Sequence, residues 1–168
     1  MNGSTRNKRS LTINPLLELA DAGVSVWADY IRRGWILEGN LRRLIERDGL
    51  KGLTSNPSIF EKAIAGSSDY DRSLEPLALA DKPVLEIFEA IAAEDIRMAA
   101  DLLYPVWERT QGVDGYVSLE VHPHLARNAR ETIAIARHLS GLVSRKNLMI
   151  KVPGTREGLE AVETLIGE

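Results

Sequence analysis

The sequence predicts an α/β fold in which short parallel strands alternate with helices. Four apolar runs, at residues 24–29, 50–55, 115–121 and 147–152, have the length and composition of buried strands. Each of them is followed by a stretch whose apolar residues recur at helical spacing. Strands that are separated by helices pair in parallel, so the pattern favours an α/β architecture built from βα units.

The helical segments are bounded by capping and breaking residues. Asn40 is a good N-cap residue for the helix that follows it, and Gly23 is placed to end the first helix. Pro105 is expected to kink or split the long helix that it interrupts. The predicted helical segments are residues 14–22, 41–48, 58–111 and 126–144, with a last helix that begins near Arg156. Within 58–111 one piece begins at Ser58 and another covers residues 84–111.

Composition and charge exclude several classes of protein. The chain has 168 residues and a net charge of −3, with acidic and basic residues interleaved, unlike a nucleic-acid or membrane-surface protein. It has no cysteine, which excludes disulfides and cysteine-based zinc sites. No segment has the ~20 apolar residues of a membrane span, and the first residues lack the apolar core of a signal peptide. We expect a cytoplasmic protein, with residues 1–12 a disordered basic tail and residues 13–168 one domain.

Polar side chains occur near the carboxyl end of each predicted strand, on one face. Buried parallel strands are normally apolar on both faces, so these residues need a reason. In a (β/α)8 TIM barrel this face is the interior, and the carboxyl ends of the strands form the active site. We therefore predict the first four βα units of such a barrel, a half-barrel in the sequence as given. The polar residues that alternation places on this face are Asp29, Thr54, Asn56, Ser118, Glu120 and Lys151.

A lysine, two carboxylates and an amide at one end of a sheet fit carbonyl chemistry through a Schiff base. The amine of Lys151 must be neutral to attack a ketone, and burial favours the neutral form. Loss of water from the carbinolamine needs a proton donor, and aldol cleavage needs a base. Glu120 and Asp29, held apart, can serve these two needs. An amide such as Asn56 would hold a substrate hydroxyl.

Four segments of this sequence resemble the transaldolase family. Residues 52–58, Gly-Leu-Thr-Ser-Asn-Pro-Ser, are similar to the Asn-Pro signature of that family. Residues 25–29, 117–121 and 148–153 are similar to its first, third and fourth strands. The likeness runs from about residue 14 to the last residue. It is greatest to the longer branch, which includes transaldolases fused to glucose-6-phosphate isomerase.

The resemblance implies a catalytic role for three residues. Lys151 would form the Schiff base with a dihydroxyacetone unit from a ketose phosphate, such as sedoheptulose 7-phosphate or fructose 6-phosphate. Glu120 would act through a water molecule as acid and base in forming and hydrolysing the imine. Asp29 would take the proton as the carbon–carbon bond breaks.

The resemblance also implies the substrates and the residues that bind them. Asn56 would orient substrate hydroxyls, and Thr54 and Ser118 would line the pocket. The transferred unit would pass to an aldose phosphate in the pentose phosphate pathway. Neither a metal nor an organic cofactor is implied, and the expected partners are sugar phosphates rather than nucleic acid or membranes.

The sequence departs from the family in its length. It supplies four of the eight strands of the barrel, and the phosphate-binding arginine and serine of the later strands have no counterpart. A four-stranded half-barrel leaves two sheet edges and an apolar face open, which predicts self-association. The alternatives are a class I aldolase that releases the three-carbon unit from the same lysine, and a non-catalytic half-barrel that is stable only when associated.

Individual residues have simpler explanations as well. Glu120 can be a salt-bridge partner of Lys151 and still take part in catalysis. Asp29 can begin a helix or pair with Arg32 or Arg33. Asn56 before a proline is also typical of a turn.

The end of the third strand carries residue types that can bind a metal ion. Glu120, His122 and His124 alternate there, which on a strand would bring three metal-ligand types together. Pro123 interrupts the strand between the histidines, and nothing else clusters with them. No metal site is therefore predicted.

Overall fold

The computed structural model describes residues 14–168, so the predicted tail at residues 1–12 lies outside the described residues. The strands are β1 (Trp27–Asp29), β2 (Gly52–Thr54), β3 (Tyr116–Glu120) and β4 (Leu148–Lys151). The helices are α1 (Pro15–Asp21), α2 (Arg33–Leu37), α3 (Asn40–Asp48), α4 (Pro57–Ala65), α5 (Asp71–Leu79), α6 (Val84–Arg109), α7 (Ala129–Val143) and α8 (Arg156–Ile166). A short 3₁₀ turn, Pro123–Leu125, precedes α7.

Within residues 14–168 the strands form a single parallel sheet in the order β1-β2-β3-β4. Neighbours in the sheet are neighbours in sequence, and one or more helices connect each strand to the next. Such βα units in sequential order are the construction of a barrel wall. The prediction of an α/β half-barrel is confirmed.

The core lies between the sheet and the helices α6 and α7. Leu53, Val117 and Leu119 point to this side and are almost fully buried. The alanines of α6 let that helix approach the sheet closely, because they carry little side-chain volume. The core residues contributed by the two helices are Ala92, Ala93, Ile96, Ala99, Ala100, Leu103, Val106, Ala136, Leu139 and Val143.

The predicted helical segment 58–111 contains three helices, of which α6 begins at Val84 as predicted. Asn56 is the N-cap residue of α4, with Pro57 in the first turn, where its missing N–H is not needed. Gly66 follows the end of α4, and Pro83 precedes α6. Pro105 does not split α6, which continues to Arg109. Burial of Leu103 and Val106 on both sides of Pro105 holds this part of α6 in the core despite the loss of one backbone hydrogen bond.

The prediction that Asn40 is an N-cap residue is wrong. The N-cap position of α3 is Gly39, in the left-handed conformation, and Asn40 is the first helical residue. The Asn40 amide instead donates to Glu38. The strands are also shorter than predicted: β1 begins at Trp27 rather than at residue 24, because the first apolar residues of that run precede the pairing with β2.

Candidate active site

Polar side chains of three neighbouring strands form a row across the sheet. Asp29 is paired in register with Thr54. The hydroxyl of Ser118 donates to that of Thr54 at 2.9 Å, which places both side chains on one face. Met149 of β4 is the register partner of Ser118 and continues the row. Alternation predicted this face for all four residues, but it gave no reason to assign Met149 to the site.

Glu120 and Lys151 lie one step further toward the carboxyl ends of the strands. They are register partners on β3 and β4, and the Lys151 Nζ lies 3.1 Å from a Glu120 carboxylate oxygen. The Glu120 side chain is 28% exposed and that of Lys151 is 36% exposed. Solvent screens an ion pair that is this exposed, so the pair contributes little to stability. Its consequence for the site is that a carboxylate lies beside an amine.

Asn56 is held by the backbone of the helix that follows it. Its side-chain oxygen accepts a hydrogen bond from the Ile59 N–H at 2.9 Å. The explanation by local turn chemistry is therefore correct for the amide oxygen. The cap fixes the direction of the side chain at the carboxyl end of β2, and the amide N–H2 has no protein acceptor among the described hydrogen bonds.

A large aromatic side chain lies beneath the polar row. Trp27 is two residues before Asp29 on the same face of β1, and its ring lies against Gly52 of β2. A Cβ atom at Gly52 would stand 2.2 Å from the indole Cε2 atom. Gly52 therefore makes room for the Trp27 ring. The sequence motif contains this glycine, but only the structure shows what occupies the space.

The face that carries the site residues is open to solvent in residues 14–168, as expected of a half-barrel. Asp29 is exposed, Thr54 and Asn56 are half-buried, and Met149 is 43% exposed. Only Ser118 in this group is buried. In residues 14–168 the helices cover the opposite face of the sheet, so the face with the polar residues stays open to solvent.

The segment after Asp29 is fixed by a buried network that the sequence did not predict. The Arg33 Nε donates to Asp95 at 2.7 Å, and its Nη2 donates to Glu94 at 2.7 Å. The Tyr70 hydroxyl donates to Asp95 at 2.9 Å and accepts from the Arg33 backbone N–H at 3.0 Å. The network ties the β1–α2 turn to α6, which anchors the end of β1.

Burial and charge set the protonation of this network. Burial raises the pKa of the Asp95 carboxyl, while the Arg33 guanidinium opposes the rise. Burial and the Asp95 carboxylate raise the pKa of Tyr70 well above its usual value. Burial lowers the pKa of Arg33, but its contacts with Asp95 and Glu94 outweigh this and raise it. Tyr70 therefore remains a hydrogen-bond donor across the physiological pH range.

The arginines next to Asp29 pair with other carboxylates. Arg32 lies 3.2 Å from Asp69 and 3.7 Å from Glu38, and Arg33 belongs to the buried network. The explanation of Asp29 as an ion-pair partner of these two arginines is therefore wrong. Asp29 also lies in β1 and does not begin a helix.

The histidines after β3 do not converge on Glu120. His122 and His124 stack with ring centroids 5.6 Å apart, and the His122 Nε2 lies 2.7 Å from Glu89 of α6. Among residues 14–168, no three histidine, aspartate or glutamate side chains are arranged to hold a metal ion.

In the same part of the chain no helix is long and apolar enough to cross a membrane.

Fold and site together define a class: a (β/α) half-barrel wall with a lysine–carboxylate pair at the carboxyl ends of adjacent strands. A family model described as Transaldolase/Fructose-6-phosphate aldolase matches residues 26–168. The chain is 46% identical over 158 residues to a transaldolase of Trichodesmium erythraeum (strain IMS101). The aligned residues cover 94% of this chain and 42% of the relative. It is 52% identical over 155 residues to a transaldolase of Thermobifida fusca (strain YX), and these residues cover 92% of this chain and 42% of the relative.

The chain therefore belongs to the transaldolase/fructose-6-phosphate aldolase family, as its sequence motifs indicated. It spans about two fifths of the length of these curated relatives. The match includes all four strands and every residue assigned to the candidate site.

Proposed function

We propose that this sequence encodes transaldolase chemistry. A dihydroxyacetone unit is taken from a ketose phosphate, sedoheptulose 7-phosphate or fructose 6-phosphate, and passed to an aldose phosphate in the pentose phosphate pathway. The observation that carries the proposal is the 3.1 Å contact of Lys151 with Glu120, in the same interior face as the row of Asp29, Thr54 and Ser118.

Imine formation uses the lysine–carboxylate pair. Lys151 gives a proton to Glu120 or to a water molecule beside it, and the neutral amine attacks the ketone carbon of the sugar. Glu120 then returns a proton, through water, to the hydroxyl of the carbinolamine, which leaves as water. The same carboxylate activates the water molecule that hydrolyses the imine at the end of the cycle.

Cleavage of the carbon–carbon bond uses the carboxylate on the other edge of the sheet. Asp29 takes the proton of the sugar hydroxyl next to the breaking bond, an aldose phosphate leaves, and the electron pair of the bond moves into the imine. Asp29 and Lys151 are three strands apart, which is about 14 Å along a flat sheet at ~4.8 Å per strand. A curved barrel wall directs both side chains toward one axis, where a sugar chain can lie between them. The lysine imine accepts the electron pair, so this step needs no metal or organic cofactor.

Substrate hydroxyls are bound by the polar groups between these two edges. The Asn56 amide N–H2 donates from the end of β2, because its oxygen is already used in capping α4. Thr54 and Ser118 share one hydrogen bond and retain acceptor lone pairs for a hydroxyl of the substrate.

Borohydride trapping tests the proposal directly. The chain is incubated with fructose 6-phosphate and borohydride, and the adduct is located by mass spectrometry. We expect a dihydroxyacetone-derived adduct on Lys151 that is absent in Lys151→Ala and present in Lys146→Ala, a matched control in the loop before β4. A folded chain that gives no adduct contradicts the proposal for this chain.

An aldolase is the second candidate, because the matching family model also includes fructose-6-phosphate aldolase. Such an enzyme uses the same lysine but releases the three-carbon unit as dihydroxyacetone. Product analysis separates the two activities. Dihydroxyacetone released without an acceptor favours the aldolase, whereas turnover that requires an added aldose phosphate favours the transaldolase.

We also propose that the chain associates with itself through the free edge of β4. An open groove of about 700 Å³ lies there between α7, α8 and the strand, lined mostly by apolar side chains. Ile166, which is 81% exposed, and Met149 are among them. A non-catalytic chain that functions only in such an assembly is the remaining alternative.

A further inference from the structure

A buried carboxylate outside the candidate site lies between two histidines. Glu89 of α6 is 8% exposed. One of its oxygens accepts from the His122 Nε2–H at 2.7 Å, and the other accepts from the His138 Nε2–H at 3.0 Å. His138 belongs to α7 and His122 to the loop after β3. Glu89 thereby joins three elements of the fold, and we call these residues the Glu89 cluster.

Burying the Glu89 carboxylate in this part of the core has a cost in desolvation free energy. A buried carboxylate loses its hydration, and its partners return only part of that free energy. Apolar side chains of similar volume would pack the same space with less desolvation. Apolar side chains form the core between α6 and β3. Directed hydrogen bonds, unlike apolar contacts, fix the orientation of the groups that they join.

The oriented group is the end of the strand that carries Glu120. Only Val121 separates Glu120 from His122, and the Val121 N–H donates to the Lys151 carbonyl at 3.1 Å. Past His122 the chain turns into the 3₁₀ helix, where the Leu125 N–H donates to the His122 carbonyl at 3.0 Å. The side chains at the two ends of this three-residue segment have different partners. Glu120 contacts Lys151, and His122 contacts α6.

The ring of His122 is enclosed on its other sides. His124 stacks on it nearly in parallel, at an interplanar angle of 9°, and the Phe88 ring lies 6.5 Å away. His122 is 6% exposed. His122, two residues after Glu120, is thereby fixed against α6.

From this geometry we propose that Glu89 and His122 are positioning residues that hold the Glu120 carboxylate against Lys151. His138 supplies the second donor, which keeps Glu89 in place. The inference rests on the proposed function, because it assigns a purpose to the contact between Glu120 and Lys151. It adds residues of the helical layer to a site otherwise built from strand ends.

Substitutions in the cluster test the proposal without relying on turnover. The lysines are dimethylated with ¹³C-formaldehyde, and the methyl signal of Lys151 is assigned from its loss in Lys151→Arg. Glu120→Gln gives the position of this signal when the carboxylate is absent. We expect Glu89→Gln and His122→Ala to move the signal toward that position. Glu86→Gln, an exposed glutamate one turn earlier in α6, should leave it unchanged.

A double-mutant cycle separates positioning from a general loss of structure. In the Glu120→Gln background, Glu89→Gln should produce no further change in the Lys151 signal, because its effect passes through Glu120. His122→Gln keeps an amide donor and should restore part of the wild-type position. Circular dichroism establishes a temperature at which all variants are folded. A Lys151 signal unchanged in Glu89→Gln and His122→Ala, or additive effects in the cycle, would overturn the inference.

Borohydride trapping keeps the inference distinct from the proposed function. We expect Glu89→Gln to slow trapping at Lys151 by about tenfold or more, since small misplacements of catalytic groups have effects of this size. If the wild-type chain gives no adduct, the proposed function fails, and the NMR signal still decides whether Glu89 positions Glu120. If the wild type reacts and Glu89→Gln reacts equally fast, the positioning inference fails alone.

Discussion

Gly52 shows how one missing side chain shapes the floor of the site. The Trp27 ring occupies the space in which a Cβ atom would lie, 2.2 Å from the indole. Trp27 lies one row beneath Asp29, so a displaced ring would disturb the carboxylate above it. The packing of this glycine is therefore linked to the proposed chemistry as well as to stability.

We expect Gly52→Ala to lower the free energy of unfolding by about 1–3 kcal/mol, the usual cost of an overpacked interior. Gly141 is a suitable control, because it lies in α7 with no atom within 4 Å of an added Cβ. Gly141→Ala should raise stability by up to ~1 kcal/mol through helix propensity. Urea denaturation measures both, and equal effects of the two substitutions would contradict the role given to Trp27.

We expect Tyr70 to make the folding stability depend on pH in the alkaline range. Burial and Asp95 raise its pKa in the folded chain, so the folded state keeps the phenolic proton longer than the unfolded state does. The resulting stabilisation is complete below the unfolded tyrosine pKa of about 10 and is lost as the pH rises toward the folded value.

Between about pH 10 and the folded value, the unfolding free energy should fall by up to ~1.4 kcal/mol per pH unit because of Tyr70. Tyr70→Phe should remove this contribution, while leaving Asp95 short of one donor. Urea unfolding at several alkaline pH values, with Tyr30→Phe as a partly exposed control, measures the difference in slope. Parallel slopes for wild type and Tyr70→Phe would show that the buried hydroxyl ionises normally.

At the scale of elements, asparagine side chains stabilise the starts of two helices, one of them beside the candidate site. Asn56 caps α4 and Asn128 caps α7, each accepting a backbone N–H from the third residue after it. Asn40 is in the first turn of α3 and caps nothing. Asn128 therefore stabilises the start of its helix through a side-chain hydrogen bond, whereas Asn40 does not.

We expect Asn128→Ala to reduce stability by about 1 kcal/mol, the typical cost of a lost N-cap. Asn40→Ala should have a smaller effect, since only an exposed contact with Glu38 is lost. Thermal unfolding of the two variants makes the comparison. A larger loss for Asn40→Ala would place the N-cap of α3 at Asn40 after all.

At the scale of the whole molecule, the sheet has a covered face and an open one. The helices bury one side, whereas the face with the candidate site and the edge of β4 stay accessible in residues 14–168. Open edges pair with other strands, and exposed apolar grooves promote association. The same geometry that makes Lys151 accessible thus favours contact between chains.

We expect sedimentation velocity to show association that increases with concentration. Ile166→Lys should weaken it, because a charge in the groove beside β4 must be desolvated on contact. Leu79→Lys is the matched control: this leucine is 82% exposed at the end of α5 and does not line that groove. A compact monomer at every concentration, with cooperative thermal unfolding, would rule out the proposed association.

Alternation along the strands predicted one shared face for the polar residues of the strands. The structure pairs Thr54 with Ser118 and Glu120 with Lys151, as two side chains on one face require. The sequence could not predict that Arg33 reaches Asp95, 62 positions away, because that contact depends on how α6 packs in the fold.

The sequence by itself determined the βα order, the face of each polar residue and the family, because alternation and short motifs are local properties of the backbone. Only the tertiary structure decided which helix residue is a cap, where the long helical segment divides, and that His122 points to Glu89 rather than to Glu120. The contact of His122 with Glu89, for example, joins residues 33 positions apart in the chain. Such a contact contributes to stability only when the elements have packed together.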